Sequence, residues 1–389
     1  MNILFLAHRV PYPPDRGDKI RSYQVLRHLS ARARVHLIAF ADDPADEVAH
    51  PELLRLTASC TIVPRRKGRV RATLEALASG RPASLTAFAD PAMRAAVAGA
   101  PSCDATYCFS GQMGQYLPEV GPTVMDFVDV DSAKFAQQAT TAAWPLRPLL
   151  RREAKLLSAF ERRVAARVDA SLFVTGAEAA LFRAGGAIGR VAVVENGIDA
   201  RYFDPDAAFA PVAGATPLIV FTGQMDYQPN VEAVAWFART VLPAIRQRHP
   251  AARFAIVGRA PAAAVRALAG DGVLVIGAVP DVRPWLAAAT VCVAPLHLAR
   301  GVQNKVLEAM AMARPVIASP GAAEGIDHAG TIRVADEAHE WVEQVCAALD
   351  DARSNDAARR QVIARYDWSA RLAPLDALFG LAPPVAEAA

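Results

Sequence analysis

VCVAPLHLARGVQNKVLEAMAMARPVIAS, residues 291–319, is the stretch that decides the fold. Val291 to Leu296 is apolar without alternation and is followed by a short loop and then helical spacing, the pattern of a buried parallel strand feeding a helix. The spacing predicts a helix from near Gly301. Val302, Val306, Ala309, Met310 and Ala313 recur at three and four, whereas Gly301, Asn304, Lys305 and Glu308 fall on the other side. Pro315 stops this helix, and Val316 to Ala318 begin the next strand. A strand, a glycine-bearing turn and a helix whose first turns carry Arg300 and Lys305 make an anion site, because free backbone N–H groups and the helix dipole both point at the ligand. A diphosphate suits it. Glu308 lies too far along the helix to serve phosphates, but a carboxylate that accepts two hydroxyl hydrogen bonds suits the ribose of a nucleotide. At i, i+3 spacing Lys305 and Glu308 equally fit a solvated surface pair. Lysine is scarce, however. Of 42 Lys and Arg residues only Lys19, Lys67, Lys134, Lys155 and Lys305 are lysine, and two of these five lie in candidate site loops.

A chain of 389 residues is too long for one ordinary core, so two domains are expected. A hydrophobic content of 53% with 21% charged residues excludes general disorder, and a net charge of +3 with no interleaving of basic and aromatic residues argues against a nucleic-acid partner. Five cysteines, without CxxC spacing, point to a reducing compartment and away from a disulfide frame or zinc site; no HxxxH pair occurs, and no metal is expected. MNILFLA is too short for a signal peptide, and no apolar run reaches ~18 residues. The expectation is a cytoplasmic protein, at most peripheral at the inner face of the membrane.

From the N-terminus, Asn2 to Ala7 reads as the first strand of a parallel sheet and Ile20 to Ala31 as the following helix. The proline-stiffened loop between them lies beyond the carboxyl end of a strand, where open α/β sheets bind ligands. Arg16, Gly17, Asp18 and Lys19 are therefore candidates: Gly17 and Lys19 for donor phosphate, Arg16 and Asp18 for the acceptor side. A rigid surface turn is the alternative. Val35 to Phe40 and Cys60 to Val63 continue the sheet. PRRKGRVR, residues 64–71, and the amphipathic basic segment Leu146 to Val168 are either ordinary solvated and packed faces or elements drawn to anionic lipid. The strand Ala105 to Phe109 ends in SGQMG, making Ser110 an acceptor-side candidate, and Thr123 to Val128 ends in DVDS. Asp126, Asp129 and Asp131 are expected to share a face of the extended strand end, and crowded carboxylates raise one another's pKa. One of them can take a proton or stabilise positive charge on a sugar ring; capping of the next helix by Asp131 or Ser132 is the other account. Leu218 to Thr222 opens a second series of alternating strands and helices, the first helix running through VEAVAWFARTVLPAI, with glycine turns at Gly223, Gly258 and Gly277.

KVLEAMAMARPVIAS, with ENGIDARYFDP upstream, resembles the donor-binding and linker signatures of the retaining glycosyltransferases of family 4. TGQMDYQPNVEAVAWF, ARGVQNKVLEAM and DFVDVDSAKF are similar to a branch associated with bacterial exopolysaccharide gene clusters. The resemblance implies a GT-B architecture, two Rossmann-like doubly wound parallel-sheet domains facing across a cleft: residues 1–203 on the acceptor side, joined by a C-terminal helix at about 366–380, a linker at 204–217, and a nucleotide-sugar domain at 218–365. It implies a nucleoside diphosphate sugar as co-substrate, no cofactor, and a glycan or lipid-linked glycan as acceptor; the basic segments at 64–71 and 146–168 make peripheral contact with an anionic membrane a further partner to expect. The donor would be held by Gly223, Gly258, Arg259, Val279, Arg300, Gly301, Val302, Gln303, Lys305 and Glu308 together with Gly17 and Lys19. Lys305, Asp129 and Asp131 would be catalytic, Asp129 foremost. Two departures stand out. The family's pattern is Glu, seven residues, Glu, and its first position is Arg300 here; the Arg and Lys common after the first glycine turn are missing from GQMDYQPN. Val279 to Asp281 would meet the base edge, or Asp281 caps the helix after it. A nucleotide-sugar epimerase and a catalytically silent nucleotide-sugar binder are the rival readings.

Overall fold

The structure, a computed structural model, describes residues 1–14, 17–48, 50–119, 121–212, 217–270, 272–297, 302–351 and 353–382. The chain divides into two units, residues 1–196 with 371–389, and residues 197–370.

In the first unit, β1 (Asn2–Ala7), β2 (Arg34–Ala41), β3 (Ser59–Pro64), β4 (Ala105–Phe109), β5 (Thr123–Val128), β6 (Ala170–Phe173) and β7 (Val191–Val193) pair in the order β3-β2-β1-β4-β5-β6-β7, all parallel. The central strand β1 is covered on both faces, so Ile3, Phe5 and Leu6 are all fully buried and its sequence shows no alternation. In the second unit, β8 (Leu218–Thr222), β9 (Arg253–Val257), β10 (Val273–Gly277), β11 (Val291–Ala294), β12 (Val316–Ala318) and β13 (Arg333–Val334) pair in the order β10-β9-β8-β11-β12-β13, again all parallel. Both sheets thus reverse their winding beside the first strand, between β1 and β4 and between β8 and β11. Ligands in doubly wound sheets bind beyond the carboxyl ends of strands at such a point.

Three expectations are corrected. The helix expected from near Gly301 is Asn304–Ala311, with Gln303 as its N-cap; Gly301 itself lies outside the described residues. The helix expected from Ile20 begins three residues earlier, as Gly17–Ser30. The run VEAVAWFARTVLPAI, expected as one helix, is broken into Gln228–Trp236, a π-turn at Phe237–Val241 and Leu242–Arg248. Pro243 is the reason: it has no N–H to give the preceding turn and its ring crowds the carbonyl four residues back, and the chain accommodates it by widening one turn. The last helix, Trp368–Phe379, carries Asp376, which accepts from His28 at 2.9 Å within the first unit and lies 3.1 Å from Arg32.

Candidate active site

Four strand ends of the second unit converge on one open pocket of ≈ 580 Å³. Gly223 and Gln224 follow β8, Gly258 and Arg259 follow β9, Ala278 and Val279 follow β10, and Val302 to Lys305 with Glu308 come from the chain after β11. Glycine is required where the first two turns meet. A Cβ on Gly258 would lie 1.6 Å from the Gly223 carbonyl oxygen, and one on Gly223 would come within 2.9 Å of the Asn230 amide and 3.4 Å of the Lys305 ammonium. The bare backbone at Gly223 keeps that ammonium accessible.

Lys305 sits in the first turn of its helix, whose N-cap, Gln303, makes no side-chain capping bond. Its Nζ donates to Asn230 Oδ1 at 2.5 Å and stands 4.4 Å over the Phe221 ring. The buried Asn230 is itself held by donating Nδ2 to the Gln224 carbonyl at 2.9 Å. Among the described residues no carboxylate lies within ion-pair distance of Lys305, so a neutral amide and a ring face orient the cation and leave its charge unspent. Burial lowers its pKa to about 8, and the Glu308 charge opposes that shift. Glu308 faces the same pocket with no hydrogen-bond partner among the described residues. Burial pushes its pKa up to about 7, with the Lys305 charge pulling the other way. A cation without a counter-ion and a carboxylate without donors, one helical turn apart, can serve a ligand that brings an anion and hydroxyls.

Arg259 answers the departure noted after Gly223. Its Nη2 donates to Gln224 Oε1 at 3.1 Å, so the following loop delivers a guanidinium beside the turn that lacks one. Val279, Val302 and Gln303 line the same pocket. Asp281 does not line it. Nor does it cap the next helix, Arg283–Ala288, whose N-cap is Val282 and has no side-chain cap; its carboxylate accepts from the Arg283 backbone at 2.9 Å and from the Arg283 guanidinium. Tyr227 and Asn230 also line the pocket and were missed in the sequence; Asn230 stands seven residues beyond Gly223, and no pattern in the sequence joins it to Lys305. Arg16, Arg300 and Gly301 lie outside the described residues.

In the first unit the candidates meet different surroundings. Gly17 opens its helix with open space around it, but Asp18 accepts from His8 at 3.2 Å and from Arg9 at 2.5 Å, which together hold its carboxyl well below the usual carboxylate range despite burial. Arg9 also donates to Asp42 at 2.7 Å. Lys19 is buried and its ammonium reaches Asp46 at 3.0 Å, so its charge is already matched within the unit. The expectation that Asp126, Asp129 and Asp131 share a face is corrected. Asp126 and Asp129 stand three residues apart, an odd step that puts them on opposite faces of an extended strand, and the strand itself ends at Val128, which takes a left-handed backbone, φ 71°, where the β5–β6 register shifts. Asp126 is fully buried, accepting from Arg21 at 2.8 Å and from the Tyr107 hydroxyl at 2.5 Å; Arg21 in turn donates to Asn196 at 2.9 Å. Asp129 and Asp131 instead accept from Lys134 at 2.8 and 3.1 Å. Ser110, itself at φ 78°, donates to Gln112, whose amide donates to Asp131 at 3.2 Å. Ser110 and the two aspartates therefore belong to one polar group at the ends of β4 and β5, beside two strained residues of the kind that gather at functional sites. Gln112 and Lys134 were not anticipated. The helix that follows is not capped by Asp131 or Ser132: Glu178 accepts from the Val130 amide at 2.6 Å, and Glu161, raised to about 7 by burial, accepts from the Ser132 amide at 3.1 Å.

Among the described residues no cluster of three or more His, Cys, Asp or Glu stands together, and no helix is long and apolar enough to cross a membrane. Residues 216–351, about a third of the chain and most of the second unit, match the family described as "Glycosyl transferases group 1". No curated protein matches the chain. Among solved structures the chain is similar to sucrose-phosphate synthase from Thermosynechococcus elongatus (TM-score 0.61, 19% identity, covering 97% of this chain and 98% of that one). It is also similar to HepE from Anabaena in complex with UDP (TM-score 0.60, 16% identity, 98% and 100% covered) and to a glycosyltransferase from Rickettsia africae (TM-score 0.58, 13% identity, 97% of each). At these identities the likeness speaks for the fold, and the family match speaks for the pocket-bearing unit. The chain is a glycosyltransferase whose two parallel-sheet α/β units have the GT-B fold.

Proposed function

We propose that the protein is a retaining glycosyltransferase of family 4 type that moves a sugar from a nucleoside diphosphate sugar to a hydroxyl of a glycan or lipid-linked glycan in exopolysaccharide synthesis. The observation that carries this reading is the Lys305 cation beside the Glu308 carboxylate, neither with an ionic partner among the described residues, in the pocket at the β8/β11 reversal. The diphosphate sits against the amide-rich start of the Asn304–Ala311 helix, where Lys305 and Arg259 neutralise it as it departs; stabilising the leaving group electrostatically needs no metal. Glu308 accepts the two ribose hydroxyls. Retention follows from attack on the same face, with the leaving phosphate taking the acceptor proton, so Asp129 and Asp131 stabilise charge more than they move protons. Support comes from HepE, which has been solved with UDP and with UDP-glucose. A lipid-linked acceptor would bring the enzyme to the inner face of a membrane as a peripheral protein.

The test is thermal-shift screening against UDP-, GDP-, ADP- and dTDP-sugars. A true donor at ~100 times its Kd adds ~2.7 kcal/mol of stability. The reading expects one donor to stabilise the protein and Lys305→Ala and Glu308→Ala to abolish that gain; a gain that survives both substitutions overturns it.

A further inference from the structure

The Arg69–Ser79 helix buries two alanines and exposes its large apolar residues. Ala72 and Ala76 face the interior, whereas Val70, Leu74 and Leu77, at i, i+4 and i+7, are 77%, 63% and 48% exposed. That spacing lays the three side chains along one face. The stripe is held in place from behind. Arg152 of the Leu146–Ala165 helix donates to the Ala76 carbonyl at 2.9 Å and the Arg81 carbonyl at 3.3 Å, and Glu153 beside it accepts from the Ala83 and Ser84 amides at 2.7 and 2.9 Å. The Leu146–Ala165 helix is preceded by Trp144, 85% exposed, and shows Leu146 and Leu149 to solvent.

The charge around these side chains has one sign. Residues 64–81 and 144–163 together carry twelve Lys and Arg against three Glu, a net of +9 in a chain whose formal net charge is +3. Of the three acids, Glu153 and Glu161 are buried, and Glu75 is met by both Lys67 and Arg71. Arg66, Arg147, Arg151, Lys155 and Arg163 are exposed. A second copy of this chain would bring the same positive face against it, which like charges oppose. Anionic headgroups satisfy both features, since cations meet phosphates while leucine, valine and tryptophan enter the headgroup layer.

We propose that the exposed stripe Val70–Leu74–Leu77, with Trp144, Leu146 and Leu149 and the surrounding arginines, is a docking surface for an anionic lipid bilayer. The inference deepens the reading of a lipid-linked acceptor and rests on it for purpose alone; the chemistry of the surface stands apart from the donor pocket.

The experiment is co-sedimentation of the full chain with vesicles of phosphatidylcholine alone or mixed with phosphatidylglycerol, at ~0.15 M salt where charge attraction still reaches about 8 Å. Binding is expected on the mixed vesicles only. It should fall about tenfold in Leu74→Glu/Leu77→Glu, and Trp144→Phe should remove a lipid-induced blue shift of the emission. Equal binding to both vesicles, no binding, or full binding by the double variant overturns the proposal. So does a concentration-dependent dimer by light scattering that the double variant abolishes, which would make a second copy the occupant. The donor thermal shift of the double variant is run alongside. If it equals that of the unchanged chain, the variant is folded; if neither responds to any donor while vesicles still bind, the transferase reading fails and the docking surface stands.

Discussion

The two sheets reverse at equivalent points, yet the charges gathered beyond their strand ends are treated in opposite ways. In the first unit Asp18 is matched by His8 and Arg9, Lys19 by Asp46 and Asp126 by Arg21. In the second unit Lys305 and Glu308 face a pocket in which, among the described residues, the one has no carboxylate partner and the other no donor. A matched charge holds loops together; an unmatched one beside a cavity is poised for a ligand. The difference teaches which of the candidate residues to test for binding and which for stability.

The sharpest way to break the comparison is at Asp126. Removing it as Asp126→Ala strands the buried Arg21 guanidinium, and urea unfolding should show a loss of ~3–5 kcal/mol; a loss under ~1 kcal/mol would mean the pair is not structural. Lys305→Ala should do the reverse. Global stability stays near that of the parent, while the transfer rate falls by ~10²–10³, about 2.7–4 kcal/mol of transition-state stabilisation. Steady-state kinetics beside the melts decide it.

Third in size is a dependence on pH. The Glu308 carboxyl sits near 7 in the folded chain against 4.5, so the folded state holds a proton that the unfolded chain releases, and the ligand-free protein loses stability as pH rises from 4.5 to 7. Lys305 sits near 8 against 10.5, so the folded state sheds its proton first and stability returns between pH 8 and 10.5. Urea midpoints across pH 5 to 10 should trace this trough, and Glu308→Gln should flatten its acid side. Donor affinity should fall above about pH 8 as Lys305 loses its charge. The smallest effect belongs to Arg259→Gln. An exposed guanidinium helping to meet a diphosphate is worth ~1 kcal/mol or less, read as a several-fold rise in donor Kd by calorimetry.

Much of the architecture was legible. The unbroken apolar run Ile3 to Ala7 and the sequence from Leu218 to Thr222 read as buried parallel strands because burial on both faces removes any need for alternation. Asn304–Ala311 read as a helix because its apolar period survives in isolation, although its start was placed near residue 301, where a glycine looked like a turn and cap chemistry gives little warning. The candidate site was legible in the residue types of Gly223, Gly258, Lys305 and Glu308. Hidden from the sequence were Asn230, which orients Lys305 from 75 residues away, and Asp46, which neutralises Lys19 from 27. The grouping of Asp126, Asp129 and Asp131 on one face misled because the step from 126 to 129 is odd and the left-handed backbone at Val128 ends the strand between them.

The sequence by itself determined most of the segments that become strands and helices and which residue types are chemically suited to phosphate and ribose, since period and chemistry are local properties. Only the tertiary structure decided the order of the strands, and with it whether each charge found a partner or a cavity. Burial and Coulomb attraction act across space, between residues that no local pattern connects.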